Sequence, residues 1–104
     1  TDFPVEDIDP IKTFYAAVFR RDAKGLPAGG FQMENALTRE QTLRGMTIWA
    51  AKSNFEENEK GSIETGKFAD FVILDTDIMT ATFEQILKTR VLKTICNGET
   101  VYTK

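Results

Sequence analysis

The stretch "GSIETGKF" at residues 61–68 places Gly61, Gly66 and Lys67 at most of the spacing of a phosphate-binding P-loop. In such a loop backbone amides cradle the phosphates, the lysine neutralises them, and a following Ser or Thr holds magnesium. Here that last position is Phe68. A P-loop also follows a strand and opens a helix. This stretch instead follows an acidic loop and precedes a strand-like run. Nucleotide binding is therefore not expected; Gly61 and Gly66 are read as shaping a turn, with Lys67 solvated near the strand edge. Arg20-Arg21 could grip a substrate carboxylate as forked donors, but a solvated pair complementing a helix dipole is the preferred reading. Glu6, Asp7 and Asp9 cluster without a calcium-loop spacing and read as a solvated loop and helix cap. Asp70 and Asp75 bracket the strand-like run and are expected to fix turns by hydrogen bonding. Cys96 has no histidine with which to form a nucleophilic pair, because the chain has no histidine at all.

Composition narrows the classes further. The chain has 104 residues, 41% hydrophobic and 28% charged, with a net charge of −3. That suits one small domain with a modest core, and it is far short of the roughly 250 residues of a complete (β/α)8 barrel. The acidic balance and the absence of a basic patch disfavour nucleic acid as a partner. One cysteine excludes a disulfide framework and a cysteine zinc site. No apolar run approaches the roughly 20 residues of a membrane helix, and no signal peptide is visible.

The elements that would position these residues follow from pattern. Residues 9–21 predict a helix, capped by Asp9 with Pro10 in its first turn. Ile11, Phe14, Tyr15 and Val18 share one apolar face. Residues 22–30 hold three glycines and a proline and predict a loop. Residues 38–52 predict a second helix, opened by the Thr38/Gln41 capping-box spacing. Leu43, Met46, Thr47 and Ala50 share its face, while Ile48 and Trp49 lie off it, so burial on more than one side is expected. Residues 69–75 predict a strand covered on both faces, since Val72, Ile73 and Leu74 are consecutive. A short helix over 82–88 and a hairpin over 91–103 turning at Asn97-Gly98 complete the plan. No linker divides the chain.

Several of these runs together resemble a known family. "KGSIETGKFADFVILD" (60–75) is similar to the C-terminal signature of the amidohydrolase superfamily of metal-dependent hydrolases, of the form G-S-[IL]-E-x-G-K-x-A-D-[FL]-V-[IV]-L-D. "VLKTICNGETVY" (91–102) resembles the hairpin that closes those chains. "LTREQTLRGMTIWAA" (37–51) resembles their helix after the last barrel strand. "TDFPVEDIDPIKTFYAAVFRRD" (1–22) resembles the amidohydrolase-3 group, near whose branch lie deformylases of N-substituted formamides.

The resemblance implies a fold and a function. Residues 1–56 would be the tip of the last barrel strand and the helices after it. Residues 57–104 would be the C-terminal strands of a composite β-sandwich, and the whole one compact unit or fragment. The glycine-rich signature would be a structural re-entry into that sandwich. Asp2, in the "TD" of the family's G-[ST]-D context, would contact the catalytic metal. It would also take a proton from metal-bound water and return it to the leaving nitrogen. The metal would be zinc or another divalent ion in the intact parent, with none expected in this chain, which lacks the family's H-x-H pair and later histidines. The implied activity is hydrolysis of a non-peptide C–N bond in a small amide-type substrate, with this chain inactive alone. Its partner would be the remainder of the parent barrel, and the isolated chain is expected to self-associate through open strand edges and uncovered helix faces. A start at "TDFP", within a motif and without methionine, is expected of an excised C-terminal piece. A cytoplasmic location is expected, with export left open by the missing start. The competing expectation is a free-standing, non-catalytic α+β interaction module.

Overall fold

The computed structural model describes residues 2–104. Among them the fold is α+β, with four α-helices, one 3-10 turn and a three-stranded antiparallel sheet. The helices are α1 (Pro10–Phe19), α2 (Arg39–Met46), α3 (Ile48–Ser53) and α4 (Phe83–Leu87). The strands are β1 (Phe71–Leu74), β2 (Val91–Cys96) and β3 (Glu99–Thr103), in the order β1-β2-β3. Two compact units share the chain: one takes in the residues up to Thr42 with Thr76–Thr89, the other Leu43–Asp75 with Arg90–Lys104.

In the first unit α1 packs on α4. Asp9 caps α1 as expected, its carboxylate accepting the Ile11 N–H at 2.9 Å. Thr82 and Gln85 close a reciprocal capping box on α4, a pairing that satisfies two otherwise orphaned amides. The apolar stripe of α1 supplies the core: Phe14 and Tyr15 are buried with Ala81 and Ile86, and Ile11, Val18, Phe19, Ile78, Phe83 and Leu87 pack around them. The buried Tyr15 hydroxyl donates to the Asp22 carbonyl at 2.9 Å. That bond ties the loop after α1 to the core. Arg39, at the start of α2, donates to the Ile78 and Ala81 carbonyls at 2.7 and 2.6 Å and lies over the Phe19 ring.

The second unit holds α3, the glycine-rich turn and the sheet. Asn97 and Gly98 both have positive φ, 50° and 79°, as a two-residue type I′ hairpin turn requires. Asp70 and Asp75 clamp the two ends of β1 as expected. The Asn97 amide donates to Asp70 Oδ1 at 2.7 Å, and the Arg90 amide to Asp75 Oδ1 at 2.9 Å.

Two expectations need correction here. The helix over 38–52 is two helices, broken at Thr47, whose φ and ψ are −127° and −95°. Thr47 turns its hydroxyl back onto the Leu43 carbonyl at 2.7 Å, and such back-bonding competes with the helical ladder and bends it. Gly45, two residues earlier, weakens the helix further. Nor is that segment buried on several sides, since Leu43, Met46 and Trp49 are exposed. The strand expected over 69–75 with both faces covered spans only Phe71–Leu74. Phe71, Val72 and Ile73 are exposed, and because successive side chains alternate faces, both faces of β1 stand open.

Candidate functional site

The P-loop look-alike folds on itself. Gly61 and Gly66 carry φ of +94° and +92°, which glycine adopts without steric cost. The Phe68 amide donates to the Glu59 carbonyl at 2.8 Å and closes the turn. Lys67 is not solvated, contrary to expectation: its side chain is only 12% exposed. Its ammonium donates to Ser62 Oγ at 2.6 Å and pairs with the Glu64 carboxylate at 2.9 Å. The Ser62 hydroxyl donates in turn to Glu64. These two donors, Ser62 first and Lys67 second, hold the Glu64 carboxyl below the usual carboxylate range. A phosphate would meet a lysine whose charge the Glu64 carboxylate already neutralises. The stretch is therefore built as a structural turn.

Asp2 lies in a turn with φ of +51°, and its side chain is exposed. Its carbonyl accepts the Val5 amide at 2.9 Å. Among the described residues no group of three or more His, Cys, Asp or Glu could hold a metal ion. Asp7 pairs with Lys12, whose hydrogen bond holds the Asp7 carboxyl low. The acidic cluster is thus an ion pair and a helix cap.

The arginine pair does something local reading missed. Arg20 sits in the left-handed region and donates Nε to the Phe31 carbonyl at 2.6 Å. Arg21 lies 4.6 Å from the centroid of the Phe83 ring, a cation–π geometry. Neither is simply a solvated helix-end charge. Cys96 is a free, exposed thiol. No helix among the described residues is long and apolar enough to cross a membrane.

Comparison with known proteins gives the class to which the chain belongs. The sequence model of the amidohydrolase family matches residues 1–102, and this chain belongs to that family. It is 30% identical over its whole length to an N-substituted formamide deformylase of Arthrobacter pascens, covering 19% of that protein. It is 27% identical over its whole length to the protein named "Putative amidohydrolase YtcJ" of Bacillus subtilis (strain 168), covering 20% of it. A third relative, the Arabidopsis thaliana protein LONG AFTER FAR-RED 3, is 33% identical over 98% of this chain and 17% of its own. The chain thus spans about a fifth of the length of the curated relatives it matches. No solved structure matches it.

Proposed function

We propose that this chain is the C-terminal segment of a metal-dependent amidohydrolase that cleaves a non-peptide C–N bond in a small amide-type substrate. The family match over residues 1–102 carries this reading. The deformylase relative favours an N-substituted formamide as the substrate class. In this proposal residues 1–56 are the tip of the last barrel strand and its following helices, and 57–104 the C-terminal part of a composite sandwich. The remainder of the parent is the partner that would cover exposed apolar residues such as Val72.

The residues of this chain do not by themselves fit a catalytic metal. Such a zinc takes about three protein ligands, whereas the sequence has no histidine and the described residues hold no cluster of donors. We therefore assign the metal, zinc or another divalent ion, to the whole protein. Asp2 is the one carboxylate this segment would contribute, and the segment alone would be inactive.

The test is to read the coding frame upstream of Thr1, express the complete protein and assay hydrolysis of an N-substituted formamide. A long frame encoding an H-x-H pair, with an active product, is the expected outcome. Asp2→Asn should then lower kcat about 100- to 10,000-fold, the usual contribution of a positioned acid–base group. A start codon directly before Thr1 would overturn the proposal and favour a binding module. An Asp2→Asn enzyme of undiminished rate would remove Asp2 from the site.

A further inference from the structure

Phe55 ends α3 in a conformation that favours glycine. Its amide donates to the Lys52 carbonyl at 3.0 Å, and the Glu56 amide donates to the Ala51 carbonyl at 2.9 Å. These two bonds form the Schellman motif, whose left-handed residue is usually glycine. Here that residue is a phenylalanine with φ of +59°. A side chain in this region crowds its own backbone, and burial commonly compensates such strain. Phe55 has no such compensation, because it is 93% exposed, the most exposed of the chain's large apolar residues. Among the described residues it strains the backbone and packs against almost nothing.

We propose that Phe55 is a docking anchor, seated in an apolar pocket on the part of the amidohydrolase chain that lies outside this segment. This rests on the function proposed above. The occupant follows from two observations. The chain matches its relatives over 98–100% of its length yet covers only 17–20% of each, so a large body of family fold is available to receive the ring. The charges beside Phe55 disfavour the alternatives. Of the three glutamates that follow it, Glu56 is paired with Lys60 at 2.7 Å, and Glu57 and Glu59 supply the remaining negative charge. An anionic lipid surface would repel them. A twofold contact with a second copy would bring the two acidic runs together, since such an interface uses the same patch on both subunits.

The test is Phe55→Gly, made both in this 104-residue chain and in the complete protein, with urea midpoints measured for each. Glycine relieves the strain, so the midpoint of the short chain should rise. In the complete protein the same change should lower it, because the anchor is lost, and Phe55→Leu should recover part of the loss. A midpoint that rises in both proteins would overturn the inference while leaving the proposed function intact. So would a fall in the short chain, which would show packing within the segment. Sedimentation is the third arm: a short chain that is dimeric as wild type and monomeric as Phe55→Gly would make the occupant a second copy. A start codon directly before Thr1 would overturn the function and this inference together.

Discussion

Replacing Gly61 by alanine tests whether the glycine-rich turn is structural, and its size can be worked from two separate effects. The first is conformational. Gly61 has φ of +94°, where a residue with a Cβ costs about 1–2 kcal/mol. The second is steric. An added Cβ would lie 2.8 Å from the Ala51 Cβ, 3.0 Å from the Ile48 Cα and 3.2 Å from the Thr47 carbonyl oxygen. Two of these neighbours are backbone atoms of the α3 region and cannot swing aside. Overpacking of this kind costs roughly 1–3 kcal/mol, so Gly61→Ala should lose about 2–5 kcal/mol in all. Gly66→Ala is the control. Its φ is nearly the same, +92°, but nothing lies within 4 Å of the added Cβ. It should lose only the conformational part, about 1–2 kcal/mol. Urea unfolding followed by the fluorescence of Trp49, the single tryptophan, reads the unit that holds both glycines. Equal losses in the two variants would refute the close approach of the turn to α3.

Two further outcomes are expected. Hydrogen bonds and ion pairs from Lys12, Lys60 and the Ser62/Lys67 pair hold Asp7, Glu56 and Glu64 below their ordinary values. Such groups stabilise the fold above their unfolded pKa and lose that contribution as pH falls through the folded value; the urea midpoint should therefore be level near neutrality, fall below about pH 4.5, and fall less steeply in Glu64→Gln. A midpoint unchanged down to pH 3 would contradict this. Ile86→Ala, in the fully buried heart of the first unit, should lose about 2–5 kcal/mol by circular dichroism, while Val72→Ala on the open sheet should stay near 0.5 kcal/mol; similar losses would mean the core is misplaced.

What was legible in the sequence was local. The caps at Asp9 and at Thr82/Gln85 depend on side chains reaching amides two or three residues away, so spacing alone reveals them. The Asn97-Gly98 turn is equally local, and so is the apolar stripe of α1. What was not legible depends on distant chain. Arg39 sits in a helical pattern and looks like a surface charge, yet it clamps two carbonyls about forty residues away in sequence. The break at Thr47 turns on the direction of one hydroxyl. The apolar run of β1 has the pattern of a strand covered on both faces; what would cover it is not among the described residues. At the candidate site, Asp2 could be named only through family resemblance, because a single exposed carboxylate has no spacing to read.

The residues that look most reactive and the one that breaks its local preference most plainly are different sets. Lysine, serine and glutamate between two glycines suggest a ligand loop, but each spends its polar atoms on the others, and the lysine is largely buried in doing so. A network closed in this way neutralises the lysine within the turn itself, and its effect is to hold the chain where it turns toward β1. The opposite holds for Phe55, which offers no chemistry and breaks the usual residue preference of its motif. Local and global preferences normally agree in a sequence that folds to one state. A residue that violates the local preference without a compensating contact in its own unit is the place where the proposed docking would supply one.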